Sequence, residues 1–210
     1  IGSSSRVISM SPIEYRWLRE RFLESVDGTD TSANERFYIS RQNVDRRQIT
    51  NFDEIKPVLN DFDIEVVRPE TMSIEEQVRK FSRGKLFVGP RGSGMHNTLF
   101  ARDATVIQLY TPNTRHHTNY LIDTALGHNH EVYIFGSDYD RKNTNAKYDR
   151  NMPFSVNPEL LRLKLEEVLS DTEREEDAPG ERGPDAEQDR GGVEGDADED
   201  HRVQRLTRRR

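Results

Sequence analysis

Two hydrophobic periods alternate along this chain. Short apolar runs, "RFYIS", "DIEVV", "KLFVG", "ATVIQLY" and "HEVYIF", predict strands near residues 37–41, 63–67, 85–89, 104–110 and 130–135. Between them lie segments with helical spacing. "SPIEYRWLRERFLES" carries Ser11 as N-cap, Pro12 at the first helical position and Glu14 three residues after the cap, followed by Ile13, Trp17, Leu18 and Phe22 at helical intervals. Tyr15, Trp17 and Phe22 are expected to form its core-facing stripe. "NFDEIKPVLN" predicts a short helix from Asn51, and "SIEEQVRKFSRG" repeats the capping box with Ser73 and Glu76, with Gly84 as its C-terminal stop. "GMHNTLFA" and "TNYLIDTALG" predict two more helices, the second ending at Gly127. "NPELLRLKLEEVLS" predicts a last one, with Asn157 as N-cap and Pro158 at the first helical position. Strands alternating with helices predict an α/β fold, a Rossmann-like parallel sheet between two helical layers.

Composition divides the chain. Hydrophobic residues are 32% and charged residues 33%, too polar for one core over the whole length. Residues 171–210 hold fourteen acidic residues and eight Arg, a net −6 out of the total −7, so residues 1–170 are nearly neutral. The reading is an N-terminal helix and linker over 1–35, a Rossmann-like domain over 36–170, and a disordered acidic tail with a basic end over 171–210. The nearly neutral folded part argues against nucleic acid as a partner. Without Cys, disulfides, zinc–thiolate sites and Cys nucleophiles are excluded. No apolar run is long enough for a transmembrane segment. The chain opens on Ile1 with no signal-peptide pattern, and a longer protein upstream is expected.

Chemistry concentrates in "VGPRGSGMHN", residues 88–97. Ligands of open α/β sheets sit beyond the carboxyl ends of the strands, where helix N-termini offer free N–H groups. Gly92 and Gly94 would let backbone approach a phosphate, with Ser93 and Arg91 as side-chain donors. A tight strand-to-helix turn that needs glycine for a positive φ is the other reading. The stretch is neither a dinucleotide fingerprint, lacking the third glycine and the later acidic residue, nor a P-loop. "SRQNVDRRQITN" puts Arg41 at the end of the first strand and Arg46 and Arg47 before the next helix. These are either an anion site on the same edge or a solvated basic loop.

The order Ser40-Arg41, Arg47 with Asn51, Glu76-Gln77, Arg91-Gly92-Ser93-Gly94-Met95-His96-Asn97 and then "VIQ" resembles glycosyltransferase family 61, capsular-polysaccharide-biosynthesis-like proteins, over residues 36–135. Three positions depart from that pattern: Arg91 stands for His, Phe52 for Glu and Gln108 for Glu. The resemblance implies the C-terminal, donor-binding half of a two-domain GT-B-like enzyme. That enzyme would move a sugar from a nucleotide-sugar donor to a glycan or other hydroxyl acceptor, in surface polysaccharide or glycoprotein biosynthesis. Its donor site would comprise Arg41, Arg47, Asn51, Arg91, Gly92, Ser93, Gly94, Asn97 and Gln108.

Departure of a nucleoside diphosphate needs its growing charge stabilised, which Arg side chains and helix amides can do without a metal. No cofactor is expected. The catalytic base is unassigned; His96 lies in the right loop, although a His beside Asn at a helix start is also a common local hydrogen-bonder. His116 and His117, near Asp123, read as loop histidines rather than ligands. "DFD" at 61–63 lies at the wrong edge for a metal-dependent transferase, and "DYD" at 138–140 follows a strand. The expected location is cytoplasmic, at or near the inner membrane surface. Two alternatives remain: a degenerate, non-catalytic Rossmann-like binding module, and an unrelated Rossmann-like enzyme that would bind NAD or ATP.

Overall fold

The computed structural model describes residues 10–110, 118–134 and 153–177. Five strands, β1 (Glu35–Ile39), β2 (Glu65–Val67), β3 (Gly84–Pro90), β4 (Thr105–Tyr110) and β5 (Asn129–Ile134), form one sheet in the order β2-β1-β3-β4-β5. Every neighbouring pair is parallel, as a Rossmann-like α/β fold requires. The chain steps outward from β1 to β2, then recrosses to lay β3 on the other side of β1. The winding therefore reverses between β1 and β3, and a crevice opens beyond their carboxyl ends.

Helices α1 (Pro12–Ser25), α2 (Phe52–Asp61), α3 (Ile74–Phe81), α4 (Thr118–Leu126) and α5 (Pro158–Asp177) cover the sheet. Both capping boxes form. The Ser11 hydroxyl accepts the Glu14 N–H at 3.3 Å while the Glu14 carboxylate accepts the Ser11 N–H at 2.5 Å. Ser73 and Glu76 do the same at 3.2 and 2.7 Å. Each box satisfies two helix-end donors that would otherwise lack partners. Gly127 ends α4 with φ at +79°, a left-handed conformation that favours glycine.

Alternate strand residues point to opposite faces. Tyr38, Leu86, Val88, Ile107 and Leu109 join Ile55 and Leu59 of α2 and Leu161 and Leu165 of α5 in one buried cluster. Phe37, Ile39, Phe87 and Val106 join Val78 and Phe81 of α3 and Met95 and Phe100 in another. The α2–α5 layer is tied to the loop after β1 by Asn51. Its amide donates to the Val156 carbonyl at 2.8 Å and accepts the Val156 N–H at 2.9 Å.

Three expectations are corrected. Trp17 and Ile13 are 63% and 78% exposed, and α1 packs through Tyr15, Arg19 and the half-buried Phe22 instead. A charge at position 19 hides that stripe from a hydropathy reading. Inside, Arg19 donates to the Ala101 carbonyl and the Glu20 carboxylate, both at 3.3 Å, while Phe22 meets Phe100 edge-on at 5.3 Å. Gly84 does not cap α3, which ends at Ser82. It opens β3, where an added Cβ would come within 2.3 Å of the Phe87 ring. Finally, α5 continues to Asp177, past the boundary expected at residue 170. The sequence between offers good helix formers and neither Gly nor Pro before Pro179. The rest of the tail, His116, His117, Phe135 and residues 138–140 lie outside the described residues.

Candidate functional site

A cavity of about 280 Å³ lies at the carboxyl ends of β1 and β3, where the winding reverses. One wall is Ile39, Ser40 and Arg41, leaving β1; the opposite wall is Ser93, Gly94, Met95 and Asn97. Those four belong to the 3-10 helix Ser93–Phe100 that follows β3. A third wall comes from Pro69 and Glu70, in the 3-10 turn Pro69–Thr71 after β2, and from Gln77 of α3.

Each wall is held by backbone hydrogen bonds. The Ser40 N–H donates to the Val67 carbonyl at 2.9 Å, so the chain leaves β1 still registered to β2. The Arg91 N–H donates to the Leu109 carbonyl at 3.1 Å, carrying the β3–β4 pairing one residue past β3. The Met95 N–H then donates to the Gly92 carbonyl at 3.1 Å and starts the helix. The amides of Ser93 and Gly94 precede any carbonyl that the helix could offer them.

The two glycines answer a need for space. Gly92 is extended, with φ at 172°, and Gly94 is not among the described glycines with positive φ. The tight-turn explanation therefore fails. A Cβ at Gly92 would lie 2.2 Å from a guanidinium nitrogen of Arg41, and one at Gly94 would lie 2.9 Å from the Ile39 side chain. Arg41 is thus laid across the glycine turn. Its Nε donates to the Arg46 carbonyl at 3.1 Å. Loss of water pulls its pKa below the ordinary value, Glu70 opposes this, and Arg91 and Arg46 add to it. A guanidinium still stays charged throughout the biological pH range.

The predicted residues do not all gather here. Arg41, Ser93, Gly94 and Asn97 line the cavity, Gly92 lies under Arg41, and Arg91 is within electrostatic reach of it. Arg47 lies in the β1–α2 loop with φ at 57° and is not part of the wall. Asn51 clamps Val156. Gln108 is wholly buried under the 3-10 helix side of the sheet and accepts the Tyr110 hydroxyl at 2.5 Å. Its Nε2, like Nδ2 of Asn119 on α4, is buried without a hydrogen-bond partner among the described residues. His96 is not among the residues that line the cavity, and desolvation, with Arg91 adding to it, lowers its pKa against the pull of Asp123.

Near it a polar layer fills the space between the 3-10 helix and α4. The Thr98 hydroxyl donates to the fully buried Asp123 at 2.7 Å. His128 accepts the Ala104 N–H on Nδ1 at 3.1 Å, and its Nε2–H donates to the Thr98 carbonyl at 3.0 Å. That pattern requires the neutral ring, and burial lowers its pKa accordingly. Asp61, of the "DFD" stretch, ion-pairs with Arg162, and Asp63 turns with φ at 54° into β2, both at the opposite edge from the cavity.

Ser40, Gln77 and Met95 belonged to the family pattern but not to the expected donor site, and Glu70 was not singled out by the sequence at all. Glu70 had one available signal: Pro69 follows directly on a predicted strand, so the loop starting there opens onto the same edge as the glycine turn. Among the described residues no helix is long and apolar enough to cross a membrane.

A search of curated proteins finds no match. The family model for glycosyltransferase 61 matches residues 3–108, from before α1 to Gln108 in β4, and so takes in all three walls of the cavity. The chain belongs to glycosyltransferase family 61.

Proposed function

We infer that this domain holds the nucleotide-sugar donor of a glycosyltransferase, and that the cavity at the β1–β3 reversal receives the donor's diphosphate. The observation that carries this reading is Arg41, stretched over Gly92 beside the unused Ser93 and Gly94 amides. A permanent cation and two N–H donors then face one space, which suits a group whose negative charge grows as the sugar leaves. Arg91 adds positive potential from the same turn. The transfer would go to a hydroxyl of a glycan or other acceptor, in surface or capsular polysaccharide or glycoprotein biosynthesis, with a second, GT-B-type domain presenting that acceptor. No metal is needed in this scheme, because Arg41 and the amides meet the developing charge. His96 does not line the cavity, so we place the base that takes the acceptor proton outside this domain.

Calorimetric titration with UDP, GDP and NAD tests the reading. One nucleoside diphosphate should bind with EDTA present, and Arg41→Ala should weaken it at least about tenfold, the loss of a charged hydrogen-bonding partner. Binding of NAD alone, or binding indifferent to Arg41, would refute it. A module that binds donor without transfer is the second reading. It is favoured by the sealed Gln108 carboxamide, which offers no group to a substrate.

A further inference from the structure

Glu70 is out of place in a pocket built only for a diphosphate. It forms no hydrogen bond or ion pair with any described residue, yet it lines the cavity and acts on Arg41 across it. Pro69 packs beside Gly94, its Cγ 3.6 Å from where a Cβ would stand, which holds the Glu70 turn against the glycine loop. A lone carboxylate beside phosphates would repel them.

The neighbouring amides share its character. Gln77 donates through Nε2 to the Met72 carbonyl at 3.0 Å, and Asn97 donates through Nδ2 to the Gly94 carbonyl at 3.0 Å. Each amide thereby keeps its oxygen for another partner. The cavity therefore carries acceptors as well as donors: Glu70, Gln77 and Asn97 line it together with Arg41, Ser93 and Gly94. Acceptors grouped around a carboxylate suit a ligand group rich in O–H donors and free of negative charge.

We propose that Glu70, with Gln77 and Asn97, binds a vicinal diol of the donor, carried by the ribose or by the transferred sugar. This rests on the diphosphate reading above. Carboxylate acceptance of hydroxyl protons gives charge-assisted hydrogen bonds, the stronger class.

The experiment is calorimetric titration of the full chain and of Glu70→Ala with UDP, GDP, their 2′-deoxy counterparts, UDP-glucose and inorganic pyrophosphate. Glu70 is exposed in a short turn, so the variant keeps the fold, which a thermal melt checks. If the ribose carries the diol, the chain prefers the ribonucleotide over its deoxy counterpart by about tenfold. Glu70→Ala then abolishes that preference and binds pyrophosphate at least as well. If the sugar carries it, Glu70→Ala weakens UDP-glucose and spares UDP. If Glu70 only steadies Arg41, the variant weakens every ligand alike, pyrophosphate included, and the proposal is overturned while the diphosphate reading stands. Failure of pyrophosphate and all nucleotides to bind the unmodified chain overturns both.

Discussion

On the α2–α5 side of the sheet the described buried residues are mainly apolar, with the Tyr38 hydroxyl among them. On the other side, Thr98, Gln108, Asn119, Asp123, His128 and Arg19 are buried among the apolar residues. The first layer gains stability from area removed from water, at roughly 25 cal/mol per Å². The second must satisfy each polar group individually, and the amide nitrogens of Gln108 and Asn119 find no partner among the described residues; a buried donor left so costs about 1–3 kcal/mol. One face supplies the stability, and the other carries the polar network beneath the 3-10 helix that walls the cavity.

The contrast can be broken most forcefully on the apolar side. Leu165→Ala should cost about 2–5 kcal/mol, seen as a lower urea midpoint, and leave nucleoside diphosphate affinity unchanged. Equal loss of affinity would mean that the two faces are not separable. Gly92→Ala should reverse the pattern. The atom that its methyl would meet is the tip of a flexible Arg41 side chain, so stability should move by less than about 1 kcal/mol. Displacing that guanidinium should weaken the nucleotide about tenfold or more.

The polar face should also respond to pH. His128 is held neutral, with its folded pKa below the ordinary value of about 6.5. The unfolded chain therefore takes up the proton first as the pH falls. Stability is fully present above about pH 6.5 and declines from there down through the depressed folded pKa. Urea midpoints from pH 7.5 to 5 should show this slope, and His128→Gln should flatten it; an unchanged slope would assign the effect to other groups. The smallest effect belongs to Trp17→Ala on the outer surface of α1. With 63% of the side chain already in water, the melting midpoint should shift by no more than the equivalent of about 0.5 kcal/mol.

These regions were unequally legible in the sequence. Parallel strands buried on both faces read as continuous apolar runs, so all five announced themselves. The capping boxes also stood out, because Ser-x-x-Glu is a local pattern that closes on itself. Arg19 did not, since its core position depends on Ala101, far away in the chain. Asn51 entered through the family pattern together with Arg47, and its pairing with Val156, 105 residues later, was equally invisible in the sequence. The glycine turn was found, but the cause of its glycines was not. Turn chemistry alone predicts left-handed backbone, while the structure uses the missing side chains to seat Arg41.

The Asn51–Val156 clamp bears on how the protein is made. Residues 3–108, the stretch that carries the family match, include β1–β3 and most of β4 but not Leu109, Phe154, Val156, Leu161 or Leu165 of the apolar cluster. During synthesis, at about 5–20 residues per second, one face of the new sheet waits with only α2 against it until α5 emerges. An expression fragment cut at the end of the family match would leave that face permanently open and prone to aggregation. The smallest piece that can fold must reach at least to Leu169, which packs against the cluster from α5.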